Sequence, residues 1–231
     1  KHHTLHQGFY WVWNTAKLST AADGNSSLRS SDLNNPNSWP LASQIFIDKD
    51  DGDVGMGMGQ FTIAETGISP TTSQILFKRR SAYQMTGVFG STNPAFAIQK
   101  TKSDMGCVAP HTIQFAPGFG LIRLTERGFA LFDGVDDKLI SEEVRPLLFG
   151  NEVYQGVDWA HLDGASAVVT ENPPLYLALC PLSGAGLSRV FCYDLVRRAW
   201  TVLQYPFQVS TVALHYHTDD PTHLLLGDFN D

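Results

Sequence analysis

The sequence predicts an all-β fold of the β-propeller type, with four-stranded antiparallel blades that form an incomplete ring within this chain. Short runs rich in β-branched and aromatic residues recur along the 231 residues, and clusters of Gly, Pro, Asn, Asp and Ser separate them. The period of an amphipathic helix does not persist over any long window. A loose hairpin repeat of about 40–50 residues favours a propeller over a β-sandwich, which is the next alternative.

The predicted elements are short strands that follow one another along the chain. The strands occupy Phe9–Trp13, Gln44–Ile47, Gln60–Ala64, Gln74–Phe77, Ala82–Thr86, Thr112–Phe115, Gly120–Leu124, Gly128–Phe132, Ser166–Thr170, Leu175–Leu179, Arg189–Asp194, Ala199–Leu203, Thr211–Tyr216 and Leu224–Gly227. One short helix is predicted at Ser141–Leu148. Ser141 can cap this helix, and Glu142 and Glu143 suit the positive end of its dipole.

Four stretches share the outline of a strand, a turn and a second strand. They are SLRSSDLNNPNSWP, QILFKRRSAYQMTGVF, GFALFDGVDDKLISEEV and RVFCYDLVRRAWTVLQYP. In a propeller each blade ends in a hairpin, and a large aromatic residue on the outer strand packs between neighbouring blades. Trp39 and Trp200 fit this structural role, so we expect both side chains to be buried near blade boundaries.

The repeat divides the chain into blades at approximately 8–40, 43–90, 107–150 and 157–206, and a further blade begins at 211–231. We therefore expect residues 1–231 to form a single β-propeller domain or part of one. An open propeller exposes strand edges that aggregate, so we expect residues outside this chain to supply the rest of the ring.

The composition is that of a packed globular protein with few surface charges. Hydrophobic residues make up 43% and charged residues 17%, and the formal net charge is −7. Free-standing DNA-binding modules are usually basic, so a sequence-independent grip on nucleic acid is not expected as the main function. No apolar run approaches the ~20 residues that span a bilayer, and no signal-peptide pattern is visible.

The three cysteines are Cys107, Cys180 and Cys192, an odd and sparse set that argues against a disulfide scaffold. Cys180 and Cys192 flank a loop, so a bridge across a hairpin is one alternative. We expect free thiols instead, because a reducing cytoplasm keeps cysteines reduced.

Two stretches contain residues that bind metals in other proteins. In DKDDGDVGMGMGQ an EF-hand would need Gly at the sixth position and Glu at the twelfth, where this chain has Asp53 and Gly59. An irregular Ca²⁺ site that uses Asp48, Asp50 and Asp53 remains an alternative to a solvated loop. We expect the loop.

His215 and His217 alternate on a predicted strand, so both rings project from one face. A Zn²⁺ site would need at least a third ligand, from Asp219, Asp220 or His223. We expect these histidines to lie at the surface or to line a channel, with no bound metal.

The concentrated basic patch is Lys78, Arg79 and Arg80, at a predicted hairpin tip. If the tip faces a channel it can contact DNA phosphates; the alternative is a contact with an acidic neighbouring subunit or with water. We expect all three side chains to be exposed, so that neutralising them leaves the fold intact.

Motifs of common hydrolases and nucleotide-binding enzymes are absent from the sequence, including G-x-S-x-G, H-E-x-x-H and the P-loop. SSDLNNPNSW shares Ser, Asp and Trp with the Asp-box turns of sialidase propellers, but its Trp is displaced and Asn34 replaces the glycine. We therefore expect a protein that is not an enzyme and that has no catalytic residue and no cofactor.

Three segments occur in the same order as in a known group of proteins: SSDLNNPNSWP, LFKRRSAYQMTG and DMGCVAPHTIQFAPGFGLIRLTERGFALFDGVDDKLISEEVRPLL. This order resembles the β-propeller proteins of bacteriophage necks and tails, namely the tail-nozzle and packaged-DNA-stabilisation proteins of short-tailed phages. Gly106-Cys107, Gly128–Gly134 and Ile140–Val144 occupy the places of that family's glycine turn and following strands. The resemblance covers roughly residues 28–150.

The resemblance implies a structural virion protein that lines or closes the genome exit channel. It implies a homo-oligomeric ring, contacts with other neck and tail proteins, transient contact with genomic DNA, and assembly in the host cytoplasm. The alternative from another class is a carbohydrate-active or carbohydrate-binding propeller, either a glycoside hydrolase or a lectin, in which carboxylates and aromatics converge on one mouth. A cellular scaffold that binds peptides on its top face is a third possibility.

Overall fold

The computed structural model describes residues 2–6, 8–14, 26–63, 71–88, 95–184, 187–205, 209–217 and 220–228. Within these residues the chain forms eighteen β-strands and one short α-helix, α1, at Arg145–Phe149. The strands are β1 (His2–His6), β2 (Phe9–Trp13), β3 (Ser27–Ser30), β4 (Ile45–Phe46), β5 (Gly55–Ile63), β6 (Thr71–Lys78), β7 (Ala82–Val88), β8 (Ala95–Lys100), β9 (Gln114–Ala116), β10 (Gly120–Thr125), β11 (Gly128–Phe132), β12 (Asp137–Leu139), β13 (Ser166–Glu171), β14 (Pro174–Pro181), β15 (Ser188–Asp194), β16 (Ala199–Gln204), β17 (Val209–His217) and β18 (Asp220–Asp228).

These strands form five antiparallel sheets in which spatial order follows chain order. The first four sheets have four strands each, β1–β4, β5–β8, β9–β12 and β13–β16, and the fifth pairs β17 with β18. The first strands of successive sheets lie side by side, because β5 contacts β1 and β9, and β13 contacts β9 and β17. Consecutive four-stranded meanders with adjacent first strands confirm the predicted all-β, propeller-like fold.

This topology gathers two kinds of connection at one end of the sheets. The turn between the second and third strands of a sheet lies at the same end as the link to the next sheet, because alternate strands of a meander run in opposite directions. We call this end the loop face. Its described connections include residues 47–54, 79–81, 101–113, 126–127 and 140–165.

Each gap between neighbouring sheets has its own hydrophobic cluster. The gap between the first and second sheets holds Trp11, Trp13, Leu28, Leu76 and Met85, and the gap between the second and third holds Phe61, Ile75, Phe77, Leu121 and Phe132. The gap between the third and fourth sheets holds Ile122, Leu124, Phe129, Tyr176 and Phe191, and the gap between the fourth and fifth holds Leu177, Leu179, Val190, Val209 and Val212. Successive residues of one strand enter different gaps, as Leu121 and Ile122 do in β10. Central strands are therefore apolar on both faces, which explains why many lack the alternating pattern of a half-buried strand.

Trp200 lies on β16, the fourth strand of its sheet, as predicted. Its ring stacks on Phe129 of the third sheet with 5.2 Å between centroids, and its Nε1 donates to the Ile140 carbonyl at 2.6 Å. The side chain is half-buried rather than buried, and it links two neighbouring sheets.

Trp39 departs from the prediction, because it lies in the loop between β3 and β4 and not on an outer strand. It is half-buried. Its Nε1 donates to the Pro36 carbonyl at 2.8 Å, and its own carbonyl accepts from Arg29 Nη2 at 2.9 Å. The polar residues around Trp39 thus form a folded loop that covers the Arg29 side chain.

The repeat is also less regular than predicted. Three of the four stretches contribute the third strand of a sheet and the chain that follows it, whereas QILFKRRSAYQMTGVF forms β6 and β7, the second and third strands. The Trp39-Pro40 pair does not end the first sheet, because the chain returns to pair β4 with β3. The second sheet therefore begins at Gly55 and ends with β8, which lies beyond the expected interval 43–90.

The predicted helix at Ser141–Leu148 is a 3-10 turn at Glu142–Val144 followed by α1. Ser141 does not cap this turn; its Oγ accepts a hydrogen bond from the Phe129 N–H of β11 at 2.9 Å. Among the residues that the structure describes, no helix combines the length and the apolar character needed to cross a membrane.

All three cysteines are free, as predicted. Cys180 and Cys192 do not face each other, because Cys180 lies opposite Arg189 and Cys192 lies opposite Leu177 in the ladder. Burial raises the pKa of the Cys107 and Cys180 thiols to about 12, whereas Cys192 is half-buried.

We expect alkylation of the native protein at pH 8 to modify Cys192 first and to leave Cys107 and Cys180 unmodified. The thiolate is the reactive species, and burial suppresses it at the other two sites. Peptide mass spectrometry after brief treatment with iodoacetamide measures this order, and treatment in denaturant, where all three react, is the control. Early modification of Cys107 would show that its sheet gap opens readily.

Candidate functional site

The β6–β7 turn brings the predicted basic patch to the loop face, but its three cations have different surroundings. Arg79 and Arg80 lie in the turn with side chains 55% and 73% exposed. Lys78 is the last residue of β6, and its side chain is fully buried. The expectation that all three are exposed is therefore wrong for Lys78, which lies in the strand with Leu76 two residues before it.

The buried ammonium of Lys78 is surrounded by acceptors. Its Nζ donates to both carboxylate oxygens of Asp51 and to the Asp48 carbonyl, each at 2.8 Å. Burial alone raises the pKa of the Asp51 carboxyl, but hydrogen bonds from Lys78 and Asp53 outweigh this effect and hold the pKa below its ordinary value of 3.8. The pair compensates a buried cation and attaches the 47–54 connection to β6.

Arg79 and Arg80 share one carboxylate of the third sheet. The Nε atoms of Arg79 and Arg80 lie 2.6 and 3.2 Å from the two carboxylate oxygens of Glu126, in the β10–β11 turn. The hydrogen bond from Arg79, helped by Arg80, lowers the pKa of Glu126 below its ordinary value of 4.5. Two guanidinium groups thus share the Glu126 carboxylate, and the Asp53 carboxylate also lies against this turn.

The carboxylates of the acidic loop accept hydrogen bonds from the protein. Asp48 Oδ2 accepts from the Tyr83 hydroxyl at 2.8 Å, and Asp53 Oδ2 accepts from the Arg80 N–H at 3.0 Å and the Ser81 hydroxyl at 3.2 Å. Within the described ranges, no group of three or more His, Cys, Asp or Glu side chains is placed to hold a metal ion. Asp48 and Asp53 therefore direct their carboxylates toward different partners within the protein.

Two clefts adjoin the turn, and a third lies nearby. One of about 420 Å³ lies between Asp51–Val54, the β6–β7 turn and Lys100. A second, of about 120 Å³, lies on the other side of Arg79 and Arg80, toward Thr125–Arg127. A third, of about 320 Å³, lies beyond Lys100 between β4 and β8. The exposed cations are therefore the walls between neighbouring clefts.

A buried ion pair lies behind the β6–β7 turn, and sequence reasoning missed it. Arg123 of β10 and Asp137 of β12 have side chains 0% and 1% exposed, and the guanidinium Nη1 and Nη2 bind the two carboxylate oxygens at 2.7 Å each. Nε and Nη2 of Arg123 also donate to the carbonyls of Gly106 and Met105, at 2.9 and 2.6 Å. The guanidinium carbon lies 4.2 Å from the centre of the Phe77 ring. The available signal was a single charge within the otherwise apolar run GLIRLT.

Gly106 connects this ion pair to the turn. A Cβ at residue 106 would lie 2.1 Å from the Lys78 carbonyl, so only glycine fits there. The N–H of Cys107 donates to the same Lys78 carbonyl at 2.9 Å. The Gly106-Cys107 step thus lets the link between the second and third sheets pass directly against the β6–β7 turn.

His215 and His217 lie on β17, as predicted, but the ladder with β18 has a register irregularity between them. His215 is opposite His223 in this ladder. Simple alternation on one face is therefore interrupted at this point.

An aromatic pair occupies another part of the loop face. The rings of Phe149 and Trp159 stack with 4.9 Å between centroids and 12° between planes. Phe149 is 42% exposed, and Tyr154 nearby in sequence is 48% exposed. Arg145 covers Phe149 at 5.4 Å. The pair is partly exposed at the loop face.

No protein-family model matches this chain, and no curated protein matches it. The geometry itself describes a propeller-like scaffold whose loop face combines a cationic turn, clefts and an aromatic pair. The residues that sequence reasoning missed here are mainly the partners Asp51, Glu126 and Asp137, and the cleft residue Lys100. Nothing local distinguishes them, since each acquires its role from a strand distant in sequence.

Proposed function

We propose that this protein is a non-catalytic structural subunit of a bacteriophage neck or tail, of the nozzle or adaptor-ring kind, that lines or closes the genome exit channel. Its partners would be further copies of itself in a ring and other neck and tail proteins, with the host cytoplasm as the place of assembly. The proposal rests on the resemblance of residues 28–150 to such proteins and on one structural observation, the exposed apolar side chains on the outer face of the first sheet.

Among the described residues, the exposed apolar side chains of that face belong to β1, β2 and β4, whereas Ser27 and Arg29 of β3 on the same face are buried. Phe9, Trp11 and Trp13 point toward the second sheet, whereas the register of β1 with β2 places Leu5 opposite Tyr10 on the other face. Phe46 of β4 lies on this same outer face, because it pairs with Ser27. Leu5, Tyr10 and Phe46 are 52%, 38% and 43% exposed.

In the second, third and fourth sheets both faces pack against neighbouring sheets. Exposed apolar side chains on one face of a soluble protein can mark a protein–protein interface. A heterologous interface between copies produces a closed ring when its rotation closes, which matches a ring subunit. The net charge of −7 further suits a channel wall that lets DNA slide instead of holding it.

The test is the assembly state of the purified protein. We expect light scattering and negative-stain imaging to show rings with an opening wide enough for duplex DNA. Leu5→Lys combined with Phe46→Lys should reduce the ring to monomers, because it introduces charge at the proposed interface. Val135→Lys is the matched control, since Val135 is 65% exposed in the β11–β12 turn. A wild-type monomer at all concentrations, or rings that survive the double substitution, would contradict the proposal.

A carbohydrate-binding propeller is the second candidate, and the Phe149–Trp159 pair favours it. Partly exposed aromatic rings suit contact with an apolar ligand face, and a ligand that stacks on Phe149 would displace the Arg145 guanidinium from that ring. Binding of soluble oligosaccharides that disappears in Phe149→Ala, together with a monomeric wild type, would support this candidate over the ring subunit.

A further inference from the structure

The cleft of about 420 Å³ between residues 51–54 and the β6–β7 turn has walls of both charges. Its lining includes the carboxylates of Asp51 and Asp53 and the cations of Arg79, Arg80 and Lys100. A Cβ at Gly52 would meet no atom within 4 Å, so the cleft is open at that point. What the cleft can bind depends on which of these charges still faces the solvent.

The two carboxylates are engaged by the protein. Both oxygens of Asp51 accept from the buried Lys78 ammonium, and Oδ1 also accepts the Asp53 N–H at 2.9 Å. Asp53 Oδ1 accepts the Val54 N–H at 2.9 Å, and its Oδ2 accepts from Arg80 N–H and Ser81. The oxygens of Asp51 and Asp53 therefore accept hydrogen bonds from the 51–54 loop and from the β6–β7 hairpin.

The cations Arg80 and Lys100 of the cleft are exposed to solvent. Arg80 is 73% exposed, and its ion pair with Glu126 uses Nε and a carboxylate that Arg79 shares. Lys100 is exposed at the end of β8, with its Nζ 5.9 Å from the centre of the Tyr83 ring. The lining residues and their ion-pair partners comprise four cations and three carboxylates, and the nearby Asp48 carboxylate accepts from the Tyr83 hydroxyl.

We propose that this cleft binds a phosphate-type oxyanion, held by the Arg80 guanidinium and the Lys100 ammonium. A guanidinium offers a planar set of donors that matches phosphate oxygens, and an ammonium supplies a point charge from a second direction. The ligand is free phosphate or the phosphodiester of a nucleic acid, which present the same oxygens. The site depends on the cleft alone and not on the proposed ring function.

Calorimetric titration of the wild-type protein with inorganic phosphate, against sodium chloride at equal ionic strength, tests the site. We expect saturable binding of one phosphate per chain. Arg80→Gln and Lys100→Gln should each weaken it about tenfold or more, because each removes a charge-assisted contact. Arg80→Lys should fall between wild type and Arg80→Gln, because it retains charge but loses the planar donor set.

Arg197→Gln is the matched control. Arg197 is 82% exposed and paired with Asp194 in the β15–β16 turn, at the opposite end of the sheets, so phosphate binding should be unchanged. Absence of saturable binding, or equal weakening by Arg197→Gln and Arg80→Gln, would overturn the proposal. Competition with a short DNA duplex at fixed salt identifies the source, since displacement of phosphate indicates a phosphodiester ligand and its failure indicates free phosphate.

Discussion

Replacing Arg123 with methionine is expected to lower the free energy of unfolding by about 3–5 kcal/mol. The substitution leaves the carboxylate of Asp137, 1% exposed, without its guanidinium partner. It also leaves the carbonyls of Met105 and Gly106 without the donors that Arg123 provides. A buried charge without a partner lowers the free energy of unfolding far more than removal of the whole pair does. The effect therefore comes mainly from the unpaired Asp137 carboxylate.

Denaturant unfolding of the two proteins measures this difference. Arg127→Met is the matched control, because Arg127 is 57% exposed and its pair with Asp104 lies at the surface, where such pairs contribute less than about 1 kcal/mol. Adding Asp137→Leu to Arg123→Met should recover a large part of the loss, since it removes the stranded charge. If Arg123→Met and Arg127→Met destabilise the protein equally, the buried pair does not have the role described here.

The architecture was predictable because it depends on local signals. β2 and β11 have the bounds that the sequence predicts, since β-branched and aromatic runs bounded by turn residues need no distant information. The fourth strand of a sheet was harder to predict. β4 has two residues, and its pairing with β3 is set by a loop that places Trp39 over Arg29. Strand order and blade boundaries therefore shifted where long-range pairing decided them.

The candidate site was predictable only in part, for a related reason. The cluster Lys78, Arg79 and Arg80 marks the turn correctly. The sequence does not reveal, however, that the strand ends between Lys78 and Arg79. Lys78 is inside the strand and buried, and Arg79 is outside it. The acidic stretch that suggested a calcium loop contains the partner of Lys78, so two separate motifs proved to be one contact. Pairing between segments some 27 residues apart leaves no local pattern.

Lys78→Met is accordingly expected to destabilise the protein by about 3 kcal/mol, whereas Arg79→Gln combined with Arg80→Gln should cost less than about 1 kcal/mol. Lys78 is fully buried and binds Asp51 and the Asp48 carbonyl, so its removal frees the 47–54 connection and leaves the Asp51 carboxylate, whose side chain is 28% exposed, without its cation. The two arginines are mostly exposed, and water replaces their contact with Glu126. Thermal and denaturant unfolding of both variants gives the comparison.

The pH dependence of the same variant provides an independent check. In the folded wild type the pKa of Asp51 lies below its ordinary value of 3.8, so the Asp51–Lys78 pair contributes stability that is present above 3.8 and is lost as the pH falls through the folded value. The difference in unfolding free energy between wild type and Lys78→Met should therefore be largest near neutral pH and should narrow below pH 3.8. Asp48→Asn is the control. It keeps the backbone carbonyl that binds Lys78, so the stability difference caused by Lys78→Met should narrow below pH 3.8 in this background as well. A constant difference across this range would mean that Lys78 stabilises the hairpin through packing of its side chain and not through its charge.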